Sequence, residues 1–99
     1  MNTIQVFEPD PHLLYTIDVA SRLTDLFRRD ILIYCEHGLV SPFVDAEGGY
    51  YFNDDAIRVL RRIEYLRVAC GVNLSGIKMA IELMNEVERL QAEVRFLRR

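Results

Sequence analysis

The sequence predicts a mainly α fold: a winged helix-turn-helix with a short β-hairpin wing and a long C-terminal coiled-coil helix. Three observations predict it. Two short segments with helical apolar spacing, 17–23 and 27–36, flank the turn residues Thr24-Asp25. The polar stretch Asp45-Ala46-Glu47-Gly48-Gly49 lies between two β-prone runs and reads as a hairpin loop. Two longer helical patterns follow, the second reaching the end of the sequence.

Residues 1–13 form an N-terminal arm. Ile4–Phe7 is β-prone, but Glu8-Pro9-Asp10-Pro11 follows, and such prolines fit neither a helix interior nor a central strand. His12, between proline and leucine, is expected to be exposed. The first helix runs from Ile17 to Leu23, with Thr16 as N-cap and Ile17, Ala20 and Leu23 facing inward. The second covers Phe27 to Glu36 and ends at His37-Gly38.

The wing strands are Leu39–Val44 and Tyr50–Phe52. Strand alternation sends Tyr50 and Phe52 inward and Tyr51 outward. Asn53 caps a third helix, whose first turn places Asp54 and Asp55 favourably against the helix dipole. That helix gathers Ala56, Val59, Leu60, Ile63, Leu66 and Cys70 on one face until Gly71 stops it. Asn73 caps the last helix, where Leu74, Ile77, Ile81 and Met84 should complete the core. Ala80, Leu83, Val87, Leu90, Val94 and Leu97 step by alternating threes and fours, the spacing of a coiled-coil seam. Glu86, Arg89, Gln91 and Glu93 flank it. The expected organisation is an arm (1–13), a winged helix-turn-helix (14–76) and a continuing helix (77–99) for dimerisation or a partner.

Ninety-nine residues support one modest core, and 51% hydrophobic with 27% charged side chains is a globular composition, not a disordered one. No apolar run has membrane-spanning length, and the N-terminus lacks a secretion-signal pattern, so the cytoplasm is the expected address. Cys35 and Cys70 form no CxxC and read as small buried hydrophobes. The sequence holds no GxSxG, Walker loop, dinucleotide fingerprint or metal-binding Cys/His set; Gly48-Gly49 lies in a hairpin instead of before a phosphate-cradling helix. No catalytic role and no cofactor are expected. Cys35-Glu36-His37 reads as a helix end, not a metal site.

Charge divides the sequence. Residues 1–50 hold three basic side chains (Arg22, Arg28, Arg29) against eight acidic ones, a net charge of −5; residues 51–99 hold nine against seven. Eleven of the twelve basic residues are Arg, which suits both protein interfaces and DNA, so their position decides and their type does not. Proteins that grip duplex DNA draw most of their affinity from cations replacing counterions on phosphates. An acidic reading head argues for a different partner.

The pattern Tyr15-Thr16-Ile17, Val19-Ala20, Leu23, Tyr34, Gly38-Leu39-Val40, Pro42, Gly48-Gly49, Phe52, Ala56-Ile57, Leu60, Ile63, Leu66, Leu74, Ile77 resembles the MerR superfamily over about two thirds of the chain. Gly71-Val72-Asn73-Leu74-Ser75-Gly76-Ile77, then Glu82-Leu83 and Glu86–Leu90, is similar to two heat-shock branches, the CbpM-type chaperone modulators and the HspR-type repressors. The ending Ala92–Arg98 also resembles the modulators. The chain departs from DNA-binding members at three places where Arg is usual: Leu32 in the second helix, Phe43 and Val44 after Pro42, and Tyr50 and Tyr51 in the second wing strand. This favours the modulator branch. Its resemblance implies a MerR-like protein that binds the J-domain of a DnaJ-like (CbpA-like) co-chaperone and restrains its engagement of Hsp70. A MerR/HspR-type DNA-binding regulator is the alternative.

For the modulator reading the candidate partner-binding residues are Asp25, Asp30, Glu36, Asp45, Glu47 and Tyr51. The acids, together with Asp18, would steer a basic J-domain helix, and Tyr51 would anchor it. For the alternative, Arg28, Arg29, Arg58, Arg61 and Arg62 are the candidate DNA contacts, set against a solvated face paired with Asp54, Asp55 and Glu64. Leu83, Val87, Leu90, Val94 and Leu97 are the candidate dimerisation residues, with a homodimer expected.

Overall fold

Phe52 sits on the middle strand of a small antiparallel sheet and is fully buried, and the N-terminal unit is organised around it. The computed structural model describes residues 13–98; the predicted arm strand Ile4–Phe7, the prolines Pro9 and Pro11, and His12 lie outside the described residues. The elements run β1 (Tyr15–Thr16), α1 (Ile17–Thr24), α2 (Arg28–Glu36), β2 (Phe43–Val44), β3 (Tyr50–Phe52), α3 (Asp54–Glu64), a π-helical turn (Tyr65–Ala69) and α4 (Leu74–Leu97). The chain divides into two compact units, one ending at Arg61 and one beginning at Arg62.

In the first unit Thr16 caps α1 by accepting from the Val19 N–H at 3.3 Å. Beyond α1, Asp25 takes a left-handed conformation (φ 57°), uncommon for a residue with a side chain. Side chains hold that turn: Ser21 Oγ donates to the Leu26 carbonyl at 2.5 Å and Thr24 Oγ1 to the Ala20 carbonyl at 2.7 Å. The turn drops Leu26 into the core, and α2 follows with Ile31 and Tyr34 buried. Gly38 ends α2 at φ 72°, where any side chain would be strained.

The sheet order is β1-β3-β2, with Tyr15 opposite Phe52, Thr16 opposite Tyr51, Phe43 opposite Tyr51 and Val44 opposite Tyr50. β1 was not expected: its second residue is itself the cap of α1, and two residues carry no alternation to read. The first wing strand is shorter than the expected 39–44, because Leu39 and Val40 instead bury themselves where the chain leaves α2. Tyr15 Oη donates to Asp54 Oδ1 at 2.7 Å, tying β1 to the start of α3 and raising the tyrosine's pKa. Asn53 caps α3 through the Ala56 N–H at 2.8 Å. The core of this unit is Ala20, Leu26, Ile31, Tyr34, Leu39, Val40, Phe52, Ala56, Ile57 and Leu60. Leu23, expected inside, is 41% exposed at the last turn of α1.

In the second unit the third helix does not keep its α register to residue 70. The Cys70 N–H bonds the Tyr65 carbonyl, five residues back, so a π turn occupies 65–69. One additional residue in a turn rotates later side chains by about 100°. Cys70 therefore leaves the apolar face and is exposed, and Leu66 is only half-buried. Gly71 (φ 67°) turns the chain, and Asn73 caps α4 through the Gly76 N–H at 2.9 Å. Ile63, Ile77 and Ile81 are buried here, whereas Leu74 and Met84, expected with them, are half-buried.

Phe52→Ala should lower the unfolding free energy by about 3–5 kcal/mol, the usual cost of emptying a closed aromatic site, while Asn53→Ala should cost about 1 kcal/mol. Urea midpoints read by circular dichroism check both. A Phe52→Ala midpoint close to the parent's would show that the sheet does not depend on that side chain.

Candidate functional site

The wing is pinned from inside its own loop. Asp45 Oδ1 accepts from the Gly49 N–H at 2.8 Å and the Glu47 N–H at 3.0 Å, while the Asp45 N–H donates to the Gly49 carbonyl at 3.1 Å. The Gly49 amide, followed by the Tyr51 hydroxyl, holds the Asp45 carboxyl below the usual carboxylate range; the same bond raises the Tyr51 hydroxyl. Asp45 is thus a loop-closing residue as well as an acid at the wing, a role its spacing to Gly49 made readable. Glu47 is exposed at the tip.

The other candidate acids lie on the helix-turn-helix. Asp25 occupies the left-handed turn and is exposed, Asp30 is half-buried in the first turn of α2, and Glu36 is exposed at its end. Tyr51 points away from the Phe52 side, as strand alternation requires, and is half-buried. Phe43, opposite it, is 50% exposed and Val44 58%. Phe27 and Leu32 add exposed apolar surface at the start and middle of α2. These apolar chains were not among the candidate residues, although the positions of Leu32, Phe43 and Val44 at usual Arg sites could have marked those three.

The candidate DNA contacts are engaged within the chain. Arg28 bonds Asp18 at 2.8 Å, Arg29 lies 3.9 Å from Asp30, Arg58 pairs with Asp55, and Arg61 donates to the Leu23 carbonyl at 3.0 Å. In the second unit Arg62 lies 3.8 Å from Glu88. The pairs at Arg28 and Arg58 are solvent-exposed and weak in energy.

Along α4, Leu83, Val87, Leu90, Val94 and Leu97 are all exposed, on one stripe about 21 Å long. Val87, Leu90, Gln91, Val94 and Arg95 line a shallow groove in it. Arg89 is locked beside the stripe by Glu86 (2.5 Å) and Glu93 (3.2 Å), which holds the Glu86 carboxyl below its usual range. Both cysteines were expected to be buried. Cys35 is half-buried, with burial pushing its thiol up to about 11, and Cys70 is exposed. Among the described residues no group of three His, Cys, Asp or Glu side chains is placed to hold a metal ion, and no helix is long and apolar enough to cross a membrane.

The family described as MerR HTH family regulatory protein matches residues 15–99. The putative heat shock protein HspR of Streptomyces coelicolor is 38% identical over 91 residues, covering 92% of this chain and 59% of that protein. The chaperone modulatory protein CbpM of Pseudomonas putida is 33% identical over 63 residues, covering 64% of this chain and 62% of that protein. The chain thus spans less than two thirds of the length of each of these relatives. In fold it is similar to HiNmlR, a MerR family regulator lacking the sensor domain and bound to promoter DNA, with a TM-score of 0.64 at 19% identity over 87% of this chain and 76% of that one. A MerR family transcriptional regulator from Bacillus cereus gives 0.63 at 21% identity, over 87% and 69%.

The Asp45 bonds require the charged carboxylate, whose pKa in the fold is lowered. Their contribution is therefore complete above the usual carboxylate value and fades as pH falls through the lower folded value. Acid titration followed by amide NMR should loosen residues 45–51 in that window before the rest of the first unit. Asp45→Ala should show the loosened loop already at neutral pH; an unchanged Gly49 amide there would contradict the pinning role.

Proposed function

The chain belongs to the MerR helix-turn-helix regulatory family, and on that premise we propose that it works as a CbpM-type modulator, binding the J-domain of a DnaJ-like co-chaperone and restraining its engagement of Hsp70. One observation carries this reading. The two elements with which a winged helix-turn-helix meets DNA carry apolar and acidic side chains where phosphate contacts would need cations: Leu32 on α2; Phe43, Val44 and Tyr51 on the wing; Asp45 and Glu47 beyond them. Three lost phosphate contacts amount to several powers of ten in affinity at physiological salt. The same surface suits a basic protein partner, which its acids would steer and its aromatics would anchor. Steric occupation of the J-domain face offered to Hsp70 is sufficient for restraint, with no chemistry at the site.

A second reading, a DNA-binding regulator of the HspR kind, is favoured by the longer likeness to the Streptomyces coelicolor protein. It would use Arg28, Arg29, Arg58, Arg61 and Arg62, after the breaking of their internal pairs. In either reading the stripe on α4 would join two copies, since five exposed apolar chains at seam spacing are costly to leave in water.

Titration with a J-domain from the same cell and with mixed-sequence duplex DNA, at low and at physiological salt, separates the readings. J-domain binding with weak, salt-labile DNA binding is the expected result; tight DNA binding without a J-domain response would overturn it. Leu32→Arg combined with Tyr51→Arg should gain DNA affinity at low salt, read by fluorescence anisotropy. For the seam, Leu90→Glu should lower the mass measured by sedimentation equilibrium, and an unchanged mass would remove the dimer.

A further inference from the structure

We propose that the outward face of the wing, built on the cross-strand pair Phe43 and Tyr51 and edged by Asp45 and Glu47, is a docking surface for a cationic segment of a partner protein. This deepens the modulator reading and rests on it for the partner's identity. Register places the face: Phe43 and Tyr51 are opposite one another in the antiparallel pair, so their side chains share one side of the sheet, with Thr16 on the same side across β3. Phe52 and Tyr15 define the other side, which holds the core. The outward pair therefore covers no core, yet it consists of two aromatic rings, and Phe43 is half in solvent. β2 is an edge strand, so nothing in the sheet lies beyond it.

Three further features fit a cationic occupant. Between Arg29 and Arg58 the sequence holds no Lys or Arg and six carboxylates: Asp30, Glu36, Asp45, Glu47, Asp54 and Asp55. Asp45 Oδ1 accepts from the Glu47 and Gly49 amides, so the carboxylate beside the Tyr51 ring is ordered before binding. An aromatic face beside a carboxylate is the arrangement that takes an Arg or Lys side chain, the ring meeting its flat or apolar part and the acid its charge. Phosphate would meet only repulsion at this edge.

The test uses the full chain labelled with 15N and a J-domain from the same cell. Wild type should show shifts concentrated at residues 43–51, and Leu90→Glu should preserve them. Phe43→Ser and Glu47→Lys should each weaken binding by about tenfold or more in calorimetry, with Glu47→Lys slowing association most. Glu47 is an exposed loop-tip side chain, so its variant keeps the fold if Phe43→Ser does not. Wild-type binding left unchanged by a folded Phe43→Ser and by Glu47→Lys overturns the wing site while the modulator reading survives. Without J-domain binding, a synthetic amphipathic helix of Lys and Leu is the second probe. Saturable shifts at 43–51 that Glu47→Lys removes would sustain the wing site while the modulator reading falls. Absence of those shifts overturns both.

Discussion

Strand β3 is three residues long, but it is paired on both sides, and that double pairing fixes the orientation of each of its side chains. With Tyr15 and Thr16 on one flank and Phe43 and Val44 on the other, the strand cannot slip by a residue without moving Phe52 from the core to water. The same constraint turns Tyr51 outward. It also sets where Asn53 begins α3, because the cap follows the strand directly. The hairpin loop and the first turn of α3 are therefore consequences of one buried ring and the register it enforces.

Electrostatics in the first unit sets acids on the wing and α2 and pairs several arginines internally. Three of its arginines are tied to neighbours: Arg28 to Asp18 between α1 and α2, Arg58 to Asp55 within α3, and Arg61 to a carbonyl at the end of α1. Neither of the two exposed ion pairs, at Arg28 and Arg58, stabilises the fold by much. Their effect is on the field outside, since each local neutralisation leaves the acids of the wing and of α2 to determine the potential seen by an approaching molecule. The acidic and aromatic side chains of the wing and of α2 are thus carried on the backbone frame of the MerR helix-turn-helix family.

Much of this was legible in the sequence because its signals are local. Thr16, Asn53 and Asn73 are caps whose side chains bond the third residue onward, and each did so where its type and position indicated. The loop at 45–49 and the seam spacing on α4 are likewise short-range patterns. What was not legible depended on geometry at a distance or on one inserted residue. β1 exists only because β3 is there to pair with it. Leu39 and Val40 have strand propensity yet are drawn into the core as the chain leaves α2. Cys70 was assigned to an apolar face by a period of 3.6 that the π turn at 65–69 breaks. Of the candidate site residues, the acids were chosen from charge along the sequence, whereas the exposed Phe43 and its pairing with Tyr51 needed the register.

The two thiols, expected to be alike, end in environments that differ in kind. Burial keeps Cys35 in its protonated, weakly nucleophilic form at neutral pH, whereas Cys70 stands in solvent at the bend before α4. A maleimide or nitroxide reagent therefore meets the Cys70 sulfur first, and attaches a fluorophore or spin label to the wild-type chain at a defined point near the base of its longest helix. Such a label reports the surroundings of the bend before α4 while Cys35 stays in place.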